Sequence, residues 1–277
     1  MNNNPLNNST FNDADIVIFG APFDETCTYR KGTAQGPSAI RENFYSLETY
    51  SPYQNRDIED VKVHDIGDLN LKKVPIKQVI DQIRIQTLEI IKTGKTPVLL
   101  GGEHLVTLGA FKAVLEHYPD ICIIHFDAHA DMLSGEMNHG TVMRNCQELI
   151  GQTSKPPYIF QFGIRSGARE EFSTKTFQCL HDFKTLKQAI KRIGKRPVYL
   201  SIDLDILDPS QFPGTGTPEA GGVTFLQLLD ATKQIFTSLN VVACDIVELS
   251  PDLDQSGIST ALACKFLREV LLLCKRH

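Results

Sequence analysis

Apolar residues along this chain fall into short runs that alternate with longer helical stripes. Asp15-Ile16-Val17-Ile18-Phe19-Gly20 is a compact apolar run closed by glycine, the pattern of a buried strand. Comparable runs lie at 61–66, 96–101, 121–127, 158–163, 177–181, 198–203 and 241–246. Between most of them the period changes. Ile76, Val79, Ile80, Ile83, Ile85, Leu88 and Ile91 recur with helical spacing over 74–91. The same spacing predicts helices over 105–117, 183–192, 225–239 and 259–274. Gly36-Pro37-Ser38 opens another, with proline in its first turn.

Strands that alternate with helices predict a parallel sheet covered on both faces. The expected fold is therefore α/β: a single three-layer αβα domain around a central, mostly parallel eight-stranded sheet. No linker, repeat or low-complexity stretch interrupts it, so residues 1–277 are expected to form one domain. The polar, Asn-rich start, 1–12, is expected to be a flexible tail. In open parallel sheets, sites form beyond the carboxyl ends of the strands, and those ends are where the polar residues of this chain collect.

The run at 121–127 continues into Asp127-Ala128-His129-Ala130-Asp131. Side chains two apart on a strand share a face, so Asp127, His129 and Asp131 project together, with small alanines between them. The alternative is a solvated acidic strand end. Other strand ends carry Gly101-Gly102-Glu103-His104, Ser201-Ile202-Asp203-Leu204-Asp205 and Asp245-Ile246-Val247-Glu248. His104, Asp127, His129, Asp131, Asp203 and Asp205 give two imidazoles and four carboxylates. That exceeds what one tetrahedral zinc with an open position needs. It suits two divalent ions sharing bridging carboxylates. The carboxylate excess and the lack of a cysteine ligand favour Mn²⁺. A water bridging such ions has its pKa lowered from about 15.7 toward about 7, giving a hydroxide nucleophile.

Composition narrows the partners. Apolar residues make up 42% and charged residues 22%, which is ordinary for a globular domain. A net charge of −5 argues against nucleic acid and anionic membrane and is compatible with a small cationic ligand. No apolar run approaches the length of a membrane span. The seven cysteines contain no Cys-x-x-Cys pair, and Cys122, Cys244 and Cys264 sit inside apolar runs. Reduced, buried thiols and a cytoplasmic location are expected.

The strand-end motifs resemble those of the ureohydrolase (arginase–agmatinase) family. The resemblance extends over nearly the whole chain. It includes Tyr29-Arg30-x-Gly32, Gly36-Pro37-x-x-Ile40-Arg41 and Pro213-Gly214-Thr215-Gly216-Thr217-Pro218. The stretches Ser46-Leu47-Glu48-Thr49-Tyr50-Ser51-Pro52 and Phe162-Gly163-Ile164-Arg165-Ser166-Gly167 are most similar to bacterial agmatinases. The resemblance implies that the four ligand-bearing strands lie adjacent in the sheet centre. It also implies two Mn²⁺ per chain and a homo-oligomer, a trimer or hexamer. One ion would be held by His104, Asp127, Asp131 and Asp203. The other would be held by His129, Asp127, Asp203 and Asp205, so that Asp127 and Asp203 bridge. His139, Asp131 and Glu248 would be the catalytic groups, with His139 and Glu248 also touching substrate.

Glu248 alone would be a surface carboxylate or a helix first-turn acid. With the resemblance it is the guanidinium-binding glutamate, and a carboxylate does pair bidentately with a planar cation. His139 alone would open the next helix. With the resemblance it is a mobile proton carrier for a leaving amine. The implied substrate is a guanidino compound, with agmatine giving putrescine and urea. Seven residues, 132–138, separate Asp131 from His139, whereas arginases carry a longer loop there. Glu136 and Glu219 are candidate acids for the amine end of agmatine. Guanidinobutyrate would need a cation, for which Arg144 or Arg165 is available. Arginase or guanidinobutyrase activity is the alternative within the family. A two-metal phosphoesterase is disfavoured by Glu103 where phosphate would need a cation. An inactive scaffold would have lost a ligand, and none of the six is missing.

Overall fold

The computed structural model describes residues 5–151, 159–173 and 176–274. Apolar runs that are buried on both faces need a helix layer on each side, and the chain supplies two. Among the described residues ten strands form: β1 (Ile16–Ala21), β2 (Tyr50–Ser51), β3 (Arg56–Asp57), β4 (Val63–Asp68), β5 (Thr96–Gly101), β6 (Cys122–Phe126), β7 (Ile159–Ile164), β8 (Phe177–Leu180), β9 (Pro197–Asp203) and β10 (Asn240–Val247). The helices are α1 (Gly36–Phe44), α2 (Ile76–Lys92), α3 (Thr107–His117), α4 (Val142–Ile150), α5 (Leu186–Ile193), α6 (Phe225–Ser238) and α7 (Ile258–Cys274). Eight strands make one sheet in the order β4-β1-β5-β10-β9-β6-β7-β8, and every neighbouring pair is parallel.

Alternation along each strand divides the core in two. Ile16 and Ile18 of β1 pack on one face with Ile40 and Phe44 of α1, Leu228 and Ile235 of α6, and Phe266 and Leu267 of α7. Val17 and Phe19 pack on the other face with Val79 and Ile83 of α2, Phe111 and Val114 of α3, and Val142 and Cys146 of α4. The result is the expected three-layer αβα domain. β5, β10, β9 and β6 are consecutive in the sheet centre, so the four polar strand ends meet at one edge.

The segment expected to be a flexible tail is packed over its described part: Leu6 is fully buried, and Asn8 both donates to the Val61 carbonyl at 2.9 Å and accepts from the Val63 amide at 3.0 Å. Residues 1–4 of that tail, and Tyr158 of the expected strand, lie outside the described residues. The short antiparallel hairpin β2–β3 was not expected, because two residues per strand carry no period. All seven cysteines are free thiols and five are buried. Among the described residues, no helix is long and apolar enough to cross a membrane.

Candidate active site

β5 ends in Gly101 and turns through Gly102 into His104, which opens the short turn before α3. Gly102 is required by close approach: a Cβ there would lie 2.1 Å from the Phe23 carbonyl oxygen. His104 is buried, and its Nδ1 faces Asp127 Oδ2 at 3.0 Å, Asp131 Oδ2 at 3.2 Å and Asp203 Oδ2 at 3.2 Å. Its Nε2 is 2.9 Å from Ser201 Oγ. Ser201 Oγ donates to Asp245 Oδ1 at 2.9 Å, so it accepts from His104 Nε2–H. Asp245 is held in turn by the Tyr199 and Thr107 hydroxyls and the Ile202 amide. This network leaves Nδ1 without a hydrogen-bond partner while three carboxylate oxygens surround it. A lone pair facing three anionic oxygens in a buried space requires a proton or a cation between them.

A second group lies beside the first. His129 Nδ1 is 2.9 Å from Asp205 Oδ2 and 3.4 Å from Asp127 Oδ1. Asp203 Oδ1 accepts the Asp205 amide at 2.8 Å, and Asp205 Oδ1 accepts the Ala128 amide at 3.0 Å. Donor atoms of His104, His125, Asp127 and Asp131 lie within 4.8 Å of one another, as do those of Asp127, His129 and Asp205. Asp127 belongs to both sets. All six residues expected at the metal site are thus brought together, and the donor set fits divalent ions.

The electrostatics show the same crowding. Burial opposes ionisation of Asp127, but His125, His104 and His129 outweigh it and hold the carboxyl well below the usual range. Burial, together with the charges of Asp205 and Asp127, pushes Asp203 well above it. Burial would depress His104, yet Asp127, Asp131 and Asp203 raise it. Burial and the charge of Asp205 push Glu248 up. A buried set of this kind is stabilised when divalent ions replace the shared protons. Backbone strain accompanies it: Asp131 and Glu248 both adopt positive φ, +52° and +67°.

Glu248 and His139 face the same cleft, of about 300 Å³, as His104, His129, Asp131 and Asp203. Glu248 Oε1 accepts the His104 amide at 2.7 Å. His139 begins a turn capped by Asn138 and accepts on Nε2 from the Thr28 amide at 3.2 Å. Burial lowers its pKa. The His139 amide donates to Thr26 Oγ1, and Thr26 donates to Glu103 from both its amide and its hydroxyl.

Other expected groups stand apart. Glu136 is exposed and does not line the cleft. Glu219 lines an adjoining outer cavity, 3.7 Å from His129 Nε2. Arg144 pairs with Glu148 at 3.0 Å. The Arg165 guanidinium donates to the carbonyls of Asp205, Glu219 and Ala220, among others, and serves the loops.

Three residues escaped the sequence reading. His125 lies two positions before Asp127, so the same alternation that selects 127, 129 and 131 reaches it. Gln161 meets His125 from the neighbouring strand. Glu171 lines the cleft and accepts the Met132 and Ala168 amides. No local pattern marks the latter two.

The arginase-family model matches residues 14–273. The chain belongs to the arginase family. A Bacillus anthracis agmatinase is 43% identical over 273 residues, 95% of this ureohydrolase and 93% of that protein. A solved Clostridium difficile structure is 42% identical with TM-score 0.89, covering 96% of this chain and 98% of that one. The agmatine ureohydrolase of Thermoplasma volcanium is 30% identical with TM-score 0.86, covering 99% and 94%. As a ureohydrolase the chain is a hydrolase, and its buried His/Asp cluster fits a metal site.

Proposed function

We propose that this ureohydrolase cleaves agmatine to putrescine and urea with two Mn²⁺ bound per chain. The observation that carries the substrate is the charge of the cleft. Beyond the residues that would hold the ions, its described lining carries the carboxylates of Glu171 and Glu248, and neither lysine nor arginine. Such a wall favours a substrate cationic at both ends and repels the carboxylate of arginine or guanidinobutyrate. It equally disfavours a phosphoester. Arg30 lines the outer cavity, but it donates to the Gly216 and Thr215 carbonyls.

His104, Asp127, Asp131 and Asp203 would hold one ion, and His129, Asp127, Asp203 and Asp205 the other. Ions bound there would supply a water nucleophile ionised near neutral pH. The protein does the rest. Glu248 pairs with the guanidinium and orients its carbon, a positioning effect. Asp131 reaches the cleft from the ligand cluster and keeps the reacting end next to it. As the C–N bond breaks, the leaving amine nitrogen must gain a proton, and His139 supplies it. His139 is neutral while it accepts from Thr28, so it takes up a proton before it donates one.

Urea release from agmatine, arginine and guanidinobutyrate, measured beside metal content, tests this. Agmatine should be turned over fastest. Faster release from either carboxylate-bearing guanidine would overturn the substrate assignment, and a fully metallated chain releasing no urea would overturn the activity.

A further inference from the structure

His125 is fully buried on β6, and its Nε2 lies 2.8 Å from Asp127 Oδ2. Its Nδ1 lies 3.0 Å from Nε2 of Gln161, its register partner on β7. The other contacts of Gln161 fix which way its amide points. Oε1 accepts from the Thr176 hydroxyl at 3.1 Å and from Gln178 Nε2 at 3.0 Å. Nε2 donates to the Ala130 carbonyl at 2.6 Å. A flipped amide would set NH₂ against NH₂ and carbonyl against carbonyl. Both hydrogens and both lone pairs of the Gln161 amide are therefore occupied. Since Gln161 donates to His125 Nδ1, that nitrogen is an acceptor. The ring proton sits on Nε2 and points at Asp127 Oδ2.

We propose that Gln161 and His125 form a positioning relay for the metal site. It rests on the reading of Asp127 as a metal ligand. The relay holds one oxygen of Asp127 through an N–H donor, which sets the direction of the lone pair left for an ion. Gln161 also pins the Ala130 carbonyl, which lies between His129 and Asp131. One amide on β7 thus orders three ligands on the neighbouring chain segment. In this arrangement His125 is not itself a ligand, because its Nε2–H is directed at Asp127. Partners of this kind, bonded to metal ligands, typically change metal affinity 10- to 100-fold when removed.

The test is Mn²⁺ titration of the metal-stripped full chain, with dissociation constants and stoichiometry read by calorimetry and melting temperature recorded without metal. Wild type, His125→Phe, His125→Gln, Gln161→Met and the Phe/Met double variant are compared. His125→Phe should keep two ions but weaken binding by about 10- to 100-fold. His125→Gln, which can again present an N–H to Asp127, should recover most of it. Gln161→Met should weaken binding in the same direction and add nothing in the His125→Phe background, because both act through one path. Should His125→Phe fail to fold, Gln161→Met still reads the relay. Unchanged affinity in Gln161→Met, or additive losses in the double variant, would overturn the relay. So would a drop to one ion in His125→Phe, which would make His125 a ligand. Wild type that takes up no Mn²⁺ would instead overturn the metal-site reading, and the relay with it.

Discussion

Glu248 Oε1 accepts the backbone N–H of His104 at 2.7 Å, which ties the acid after β10 to the backbone of the imidazole after β5. One carboxylate oxygen is anchored, so the group faces the cleft in a fixed direction before substrate arrives. Glu248→Gln keeps the shape and removes the charge. Losing one desolvated, charge-assisted pair should cost roughly 2–5 kcal/mol of transition-state binding. kcat/KM for agmatine should fall about 30- to several thousand-fold, at about 1.4 kcal/mol per tenfold. Metal content should be unchanged. Loss of Mn²⁺ in this variant would place Glu248 in the metal site.

Asp127 touches both donor groups, and its removal should be felt by both ions. Asp127→Ala should lower Mn²⁺ content from about two per chain toward zero, as for a shared ligand. Elemental analysis after dialysis reads this. One tightly bound Zn²⁺ with full activity in the wild type would contradict the two-ion site.

His139→Asn should retain metal and lose turnover by about 10²- to 10⁴-fold, the worth of a positioned proton donor. Single-turnover kinetics with agmatine separates this from a binding defect. Unchanged kcat would make His139 only the opener of α4.

Glu103 gives a prediction for pH. Burial raises its carboxyl from an ordinary 4.5 to about 7, against the Thr26 bonds. The folded chain then binds more protons than the unfolded chain between those values. Stability from this group is fully present below about 4.5 and is lost as pH rises through about 7. In metal-free protein, Glu103→Gln should leave melting unchanged near the low end of the window. Above the window it should raise stability relative to wild type by at most about 3 kcal/mol. Denaturant melts across the window read it; parallel curves for the two proteins would refute the shift.

Much of this site was legible because its parts follow local rules. Alternation placed Asp127, His129 and Asp131 on one side of a strand, and glycines after apolar runs marked where β1 and β5 end. The same rule reached His125, but its place inside an apolar run disguised it as core. Gln161 was invisible for a different reason: its partners depend on β7 lying next to β6 in one register, which no single stretch encodes. Glu171 is held by the amide of Ala168, three residues away, and by that of Met132, far off along the chain, and it is the second that no local stretch encodes. Leu6 shows the converse failure, since a lone apolar anchor in a polar segment has no period to reveal it. Arg165 drew attention as a cation, yet a half-buried guanidinium is equally a way to satisfy loop carbonyls.

β10 sits between β5 and β9 although it is the last strand of the sheet to be synthesised. Until residues 240–247 have left the ribosome, β5 and β9 each face an unfilled gap with unpaired backbone groups. The nascent chain can build the two flanks but cannot join them, and the carboxylates of 127, 131, 203 and 205 have no β5 imidazole held against them. Assembly of the full His/Asp cluster therefore awaits the insertion of one late strand at the centre. Folding of this kind, governed by contacts far apart in sequence, is slow.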